Sequence, residues 1–264
     1  MFDLGAYLNR IGLDEPIPAN ANGLALLQRA QLQNIPFENL DIHLGLAISL
    51  QPSAVFDKLV MRGRGGYCFE LNKLFAEALR ASGFAVRSHL ARVIYGRDAP
   101  GGRTHQVLVV QAEGQAWLCD AGFGGPGLRA PIPLEPQEAI DVDAERFALR
   151  FHREDGYLLE KWIAGRWTPL YVFALQSELD IDFEMGNFYM SQHPDSYFRR
   201  NRVVALQRPA GRVTLTNFVL TLPGTDGSAV SVTLAPGEDY MTALREHFGI
   251  LLEHRYEQFL ALSQ

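Results

Sequence analysis

The spacing of apolar residues changes at Gly83, and no other feature of the sequence restricts the fold as much. Before Gly83 the apolar residues recur at helical spacing, most clearly between Leu71 and Leu79. After Gly83 the segments are short, rich in β-branched and aromatic residues, and separated by turn residues. Short turns favour antiparallel pairing over βαβ units, so the sequence predicts an α+β chain with helices first and an antiparallel sheet after them.

The predicted elements follow this order along the chain. A short helix is predicted from Ser53 to Met61, and a strongly amphipathic helix from Cys68 onwards, with Gly83 at its C-terminal cap. The strands of the middle region are predicted at Val86–Tyr95, His105–Gln111, Ala116–Ala121, Arg146–His152, Tyr157–Trp162 and Arg166–Phe173.

The last part of the sequence mixes both kinds of pattern. We predict a helix over Ser177–Met190 and one strand at each of Val203–Leu206, Val213–Leu222 and Val230–Leu234. Two closing helices are predicted at Glu238–Phe248 and Glu253–Leu262.

Composition excludes several classes of protein. A hydrophobic content of 47% is ample for a packed core, and 24 basic against 30 acidic residues argue against nucleic acid as the main partner. No apolar run reaches the roughly 18 residues that a membrane span needs, and the N-terminus has no signal-peptide pattern. Cys68 and Cys119 are the two cysteines, which excludes a disulfide framework, so we expect a cytoplasmic protein.

The segment Arg64–Asn72, with the sequence RGGYCFELN, carries the strongest chemical signal. Two glycines allow a tight turn, and Cys68 follows in the first turn of the predicted amphipathic helix. The free backbone N–H groups and the positive end of the helix dipole favour a thiolate there, as a nucleophilic cysteine requires. The alternative interpretation of Cys68 is a small buried core residue.

A base and a group that orients it are predicted on the hairpin that follows. If Glu113–Gly114 is a two-residue loop, Ala112 pairs with Gln115, and His105 and Asp120 point to the same face of the two strands. Diagonal neighbours on adjacent strands lie roughly 7–8 Å apart at the backbone, which is within reach of a His–Asp hydrogen bond. A register slip of one residue would place the two side chains on opposite faces.

Other patterns are weaker. Cys119 alternates with Asp120 and is interpreted as inert core filling. The glycines of 122–127 nearly spell a dinucleotide-binding pattern, but Pro126 interrupts it and no helix follows. The histidines and cysteines have no metal-ligand spacing, so no metal site is predicted. The arginines at 199, 200, 202, 208 and 212 are either a solvated surface or an attraction for a phosphate-bearing ligand.

Taken together, these motifs resemble those of the arylamine N-acetyltransferases, which are acetyl-CoA-dependent enzymes. The resemblance covers essentially the whole chain, and the cysteine block is its most selective part. The matching segments, in the family's order, are Ile35–Leu40, Arg64–Asn72, Thr104–His105, Asp120–Gly124, Gly186–Tyr189 and His193–Phe198.

This resemblance implies the fold and its division. It implies an N-terminal helical bundle over residues 1–83 carrying the nucleophilic cysteine, and a central antiparallel β-barrel over residues 84–190 carrying the histidine and aspartate. A C-terminal α/β lid over residues 191–264 completes the chain. The core of this fold is a Cys-His-Asp arrangement like that of cysteine proteases.

The resemblance also assigns roles in catalysis. Cys68 is the acyl acceptor, His105 the base and Asp120 the residue that orients the base. Phe37 and Phe123 are expected to line the pocket for the acceptor substrate.

Support and coenzyme-binding positions follow from the same resemblance. Glu38 and Arg64 are expected to interact structurally near the site. Gly101, Gly102 and Gly124 are expected to bring backbone close to coenzyme A.

The expected reaction is a ping-pong transfer of acetyl from acetyl-CoA, through an acetyl-cysteine, to arylamines, arylhydrazines or N-hydroxyarylamines. The partners are therefore small molecules, with no metal, nucleic acid or membrane expected. Two alternatives stay open: a cysteine hydrolase related to transglutaminases, and an amide synthase with the same fold. The acceptor amine, the acyl chain length and the oligomeric state are not determined by the sequence.

Overall fold

The computed structural model describes residues 2–154, 156–224 and 228–262. Its α-helices are α1 (Leu4–Arg10), α2 (Ala21–Asn34), α3 (Leu40–His43), α4 (Pro52–Phe56), α5 (Cys68–Ala81), α6 (Asp180–Gln192), α7 (Tyr197–Arg200) and α8 (Glu238–Phe248). A π-helical turn at Asp57–Met61 continues α4, and a 3-10 turn lies at Tyr256–Gln258.

The strands belong to two antiparallel sheets. The strands are β1 (Phe37–Glu38), β2 (Ala85–Val93), β3 (His105–Ala112), β4 (Gln115–Cys119), β5 (Ile132–Pro133), β6 (Gln137–Val142), β7 (Glu145–His152), β8 (Gly156–Ile163), β9 (Arg166–Phe173), β10 (Val203–Arg208), β11 (Gly211–Thr216), β12 (Val219–Pro223) and β13 (Ala229–Thr233). One sheet has the order β5-β4-β3-β2-β9-β8-β7-β6, and the other has the order β1-β10-β11-β12-β13.

The N-terminal helices pack around α5, as the periodicity predicts. The apolar face of α5 is buried between Leu71 and Leu79, because those residues fall on one side of a 3.6-residue helix. Gly83 follows the helix with a φ of +91°, which is the left-handed conformation typical of a glycine at this position. The predicted helix at 53–61 is confirmed as α4 and its π-helical continuation.

The eight-stranded sheet is a nearly closed, barrel-like structure. Side chains from strands far apart in the sheet order meet in one apolar cluster, including Val107 and Leu118 near one edge and Phe147 and Leu159 near the other. Such contact across the sheet requires strong curvature. The mixed α+β class predicted from the sequence is therefore confirmed.

The five-stranded sheet joins the two ends of the chain. Its edge strand β1 comes from the N-terminal region and pairs with β10, with Phe37 opposite Ala205. Helix α8 covers this sheet through Tyr240 and Leu244, which share a core cluster with Val204 of β10. A further bridge joins Phe37 to Gly66, so the sheet also reaches the loop before Cys68.

Two predictions for the C-terminal region were wrong. Val213–Leu222 is a hairpin rather than one strand, because Asn217 adopts a φ of +52° and Thr216 pairs with Val219. Asparagine tolerates this left-handed conformation better than most residues. Instead of a helix at 253–262 there is only the 3-10 turn at Tyr256–Gln258 within the described residues, since Phe259 is drawn into the core and Leu260 donates to the His43 carbonyl.

The short strands β1, β5 and β6 were not predicted, and β1 lies in the part of the chain where only helices were expected.

No helix in the described parts of the chain is long and apolar enough to cross a bilayer.

Candidate active site

The loop before α5 brings Cys68 to the first position of that helix. A side chain at Gly65 would collide with the Pro36 carbonyl oxygen, so only glycine allows the loop to pack against this segment. Glu70 closes the first turn, because its Oε2 accepts from the Tyr67 N–H at 3.0 Å. Cys68 is 4% exposed, so this residue is buried rather than on the surface.

The β3–β4 hairpin places the candidate base. Its register is the predicted one: Ala112 pairs with Gln115 and Leu108 with Cys119. The consequence predicted from that register is also confirmed, since Nε2 of His105 lies 2.7 Å from Oδ2 of Asp120.

Asp120 is held in place by hydrogen bonds to its second oxygen. Oδ1 accepts from Asn72 Nδ2 at 3.0 Å and from the Gly122 N–H at 2.9 Å. Asn72 is itself fixed, because its Nδ2 also donates to the Gln106 carbonyl and its Oδ1 accepts from the Ala121 N–H. Oδ2 is therefore left facing His105 with a fixed orientation.

The surroundings of His105 favour its protonated form. Burial alone would lower the pKa of this imidazole, but the Asp120 charge and hydrogen bond, together with Cys68, raise the pKa to about 10. Because Nε2 faces Asp120, the other ring nitrogen is free for the sulfur. The ring packs against both Phe123 and Tyr171, with centroid distances of 5.4 and 5.3 Å.

Cys68 and His105 meet in one cavity of about 390 Å³. Sγ of Cys68 lies 3.7 Å from the Thr104 carbonyl oxygen, next to the histidine in sequence. The walls are mainly apolar and aromatic, and Phe37 and Phe123 contribute to them. The other lining residues are Val93, Tyr95, Gly96, Arg97, Thr104, Gly124, Gly125, Met190, Tyr197, Phe198 and Val203.

The three glycines predicted to approach coenzyme A have different surroundings. Gly124 lines the cavity with a φ of +70°, and a Cβ there would lie 2.6 Å from the Phe37 ring. Gly101 and Gly102 do not line this cavity. Gly101 instead accepts a hydrogen bond from Arg92 through its carbonyl oxygen.

Glu38 and Arg64 belong to a buried ionic network that supports the cysteine loop. Arg64 Nη2 lies 2.6 Å from Glu38 Oε1 and 2.8 Å from Asp41 Oδ1. Lys58 extends the network, with its Nζ 2.7 Å from both Asp41 Oδ2 and Glu70 Oε1. The loop is thereby tied to β1, α3 and α5 at once.

Burial raises the pKa of both carboxyls that contact Lys58, but the net shifts are opposite. At Asp41 burial is outweighed by Lys58 and Arg64, which together hold the pKa of that carboxyl below its usual value. At Glu70 burial outweighs Lys58, and the pKa is raised.

The remaining sequence candidates lie outside the cavity. Cys119 is fully buried in the core, and burial raises the pKa of its thiol well above the usual value, which makes it unreactive. None of the five C-terminal arginines lines the cavity. Arg202, for example, is buried against the rings of Tyr240 and Phe259.

Several site residues were not assigned from the sequence. Asn72 follows Cys68 by four residues, so helical spacing alone places both on one face of α5 and could have indicated its role. Tyr95 and Arg97 come from the turn after β2 and Tyr197 from α7, and no local pattern connects these segments to Cys68.

A larger cavity, of about 620 Å³, lies between α5, β2 and α6, but contains neither Cys68 nor His105. Within the described ranges, no three His, Cys, Asp or Glu side chains are placed to hold a metal ion. Volume therefore does not identify the site, whereas the side-chain chemistry around Cys68 does.

Comparison with known proteins agrees with this geometry. The profile of the N-acetyltransferase family matches residues 21–257. The arylamine N-acetyltransferase of Mycolicibacterium smegmatis is 37% identical over 94% of this chain and 92% of its own length. The arylamine N-acetyltransferase / N-hydroxyarylamine O-acetyltransferase of Salmonella typhimurium is 35% identical over 94% of this chain and 88% of its own.

A solved structure gives the same result. That of the Mycobacterium marinum arylamine N-acetyltransferase in complex with CoA superposes with a TM-score of 0.87 at 32% identity, covering 94% of this chain and 93% of that one. These similarities in sequence and in fold extend over nearly the whole length of each protein. The chain therefore belongs to the arylamine N-acetyltransferase family.

Proposed function

We propose that this chain transfers an acetyl group from acetyl-CoA to an arylamine through an acetyl thioester on Cys68. The observation that carries the proposal is that His105 lies in the same cavity as a cysteine at a helix start, with its Nε2 2.7 Å from the buried Asp120 carboxylate. The names of the relatives and the coenzyme A complex of the M. marinum protein support acetyl transfer over the hydrolase and amide-synthase alternatives.

In the first half-reaction, the Cys68 thiolate attacks the thioester carbonyl of acetyl-CoA. The bond between the acetyl carbon and the coenzyme sulfur breaks, and the leaving thiolate takes the proton from the His105 imidazolium. The raised pKa of His105, about 10, supports this role because it keeps the imidazolium populated at neutral pH. The first-turn N–H of Cys68 is available to stabilise the oxyanion.

In the second half-reaction, the nitrogen of the arylamine attacks the acetyl-cysteine. His105 takes the proton that this nitrogen loses, and the Cys68 thiolate leaves and is ready for another cycle. Asp120 keeps the imidazole aligned in both steps. The rings of Phe37 and Phe123 offer faces against which a flat aromatic acceptor can pack.

In this proposal Glu38 and Arg64 act indirectly, by fixing the loop that presents Cys68. The roles of Gly101, Gly102 and Gly124 toward coenzyme A stay predictions. So do the division at residues 83 and 190 and the cytoplasmic location.

The test is the intact mass of the protein after incubation with acetyl-CoA. We expect the unsubstituted chain and a Cys119→Ala control to gain one acetyl group, and Cys68→Ala to gain none and lose turnover while its circular dichroism stays unchanged. Acetylation and turnover by Cys68→Ala would refute the proposal.

A further inference from the structure

We propose that Arg97 binds the phosphate groups of the acyl donor at the mouth of the active-site cavity. This inference rests on the proposed function, since it requires acetyl-CoA to react at Cys68. It assigns Arg97 a role in donor affinity, not in the chemical step.

The position of Arg97 is the first observation. It lies in the turn that follows β2 and lines the same cavity as Cys68 and His105. Apart from His105, it is the one charged side chain among the described residues that line this cavity. Arg97 is exposed, so it marks the outer part of the cavity, whereas Cys68 marks its buried end.

The second observation is that the guanidinium of Arg97 has no hydrogen-bond or ion-pair partner in the portion of the chain that the structure describes. Some other exposed arginines are paired, such as Arg80 with Glu77 at 2.7 Å and Arg146 with Asp141 at 2.8 Å. A cation left unpaired at a cavity mouth, in a chain with a formal charge of −6, offers an anionic ligand a local attraction.

The third observation is that the fold makes room for this guanidinium. Its Nη1 lies 2.8 Å from the position that a Cβ would take on Gly101, so the group rests against the bare backbone of that glycine. The carbonyl oxygen of Gly101 accepts from Arg92, which ties this part of the loop to β2. The loop therefore holds Arg97 in position, and Gly101 supports it without lining the cavity.

The chemistry of the donor matches this arrangement. Acetyl-CoA carries its thioester at one end and its phosphates at the other, so a thioester at Cys68 leaves the phosphates toward solvent. A guanidinium binds phosphate through parallel charge-assisted hydrogen bonds. An acceptor carboxylate is the competing anion, and the experiment must separate the two.

The test compares two donors on Arg97→Gln. Acetyl-CoA carries the phosphates, whereas S-acetyl-N-acetylcysteamine keeps the thioester end and has none. We expect KM for acetyl-CoA to rise about tenfold with little change in kcat, as for the loss of a charge-assisted hydrogen bond. KM for the phosphate-free donor should stay unchanged, and Arg97→Lys should recover part of the affinity.

The matched control is Arg166→Gln, which removes an exposed arginine that does not line the cavity. It should leave both KM values unchanged, which excludes a general effect of net charge.

Three results with Arg97→Gln would overturn the inference. These are an unchanged KM for acetyl-CoA, an equal rise in KM for both donors, or a change in kinetics that appears with 4-aminobenzoate as the acceptor and not with an uncharged aniline. Failure of the proposed function would look different, since neither donor would acetylate Cys68 in the unsubstituted chain.

Discussion

Replacing Asp120 by asparagine removes the charge that keeps His105 protonated while preserving the shape of the side chain. The amide oxygen can still accept from Asn72 and Gly122, so the hairpin should keep its fold. The amide nitrogen would then face Nε2 of His105, where the carboxylate oxygen now lies at 2.7 Å. An N–H donor at that place favours the tautomer with its proton on the nitrogen next to Cys68.

The size of the effect follows from the raised pKa of His105. The difference between the ordinary value of 6.5 and about 10 corresponds to roughly 5 kcal/mol in favour of the imidazolium. Most of that preference comes from Asp120, which overcomes the opposing effect of burial. Since about 1.4 kcal/mol changes a rate tenfold, we expect acetylation of Cys68 to slow by about three to four orders of magnitude.

Rapid-quench mass spectrometry of a single turnover with acetyl-CoA measures this step directly. Asp98→Asn, the same change at an exposed carboxyl outside the cavity lining, should acetylate at the unsubstituted rate. If Asp120→Asn acetylates within tenfold of the unsubstituted chain while its circular dichroism is intact, the argument that Asp120 sustains the ion pair is wrong.

Stability should depend on pH with a sign set by the same group. The pKa of His105 is higher in the folded state, so protonation stabilises that state. This contribution is fully present below the ordinary value of 6.5 and is lost as the pH rises through about 10. In urea unfolding, the unsubstituted chain should have a higher free energy of unfolding than Asp120→Asn, and this difference should shrink as the pH rises from 6.5 to about 10. A difference that stays constant or grows over that range would contradict the assignment to His105.

Two further substitutions test the frame of the site. Gly124→Ala forces a side chain onto a φ of +70° and within 2.6 Å of the Phe37 ring, so it should lower the free energy of unfolding by roughly 2–4 kcal/mol. Gly114→Ala, at a φ of +79° with open space around it, should cost roughly 1 kcal/mol; equal losses in urea unfolding would refute the steric argument. Lys58→Met leaves the buried Glu70 without a cation and Asp41 with Arg64 alone, so it should cost roughly 3–5 kcal/mol, whereas Arg80→Met, at a surface pair, should cost less than about 1 kcal/mol. Similar urea midpoints for Lys58→Met and Arg80→Met would contradict a stabilising role for the buried ionic network.

The elements nearest the chemistry could be predicted because their signals are local. Helix α5 follows from apolar residues at 3.6-residue spacing, and the β3–β4 register follows from a two-residue loop. The β3–β4 register and the alternation of side chains along a strand together suffice to bring His105 and Asp120 to one face of the hairpin. The wrong helix prediction at 253–262 arose where a distant contact overrides local pattern, since the core draws Phe259 out of any helix. The wrong strand prediction at 213–222 has a local cause, the turn at Asn217.

Local pattern in the sequence thus determines which residues can act and which of them share a helix or a hairpin. Tertiary structure alone decides how β1, Lys58 and Arg64 hold the cysteine loop, and that Arg97 opens onto the same cavity as Cys68. The physical reason is the sequence separation over which each kind of interaction acts. Helix periodicity and strand alternation act over a few residues. The buried ion pairs and the cavity walls join segments tens of residues apart, whose meeting is settled only when the whole core packs.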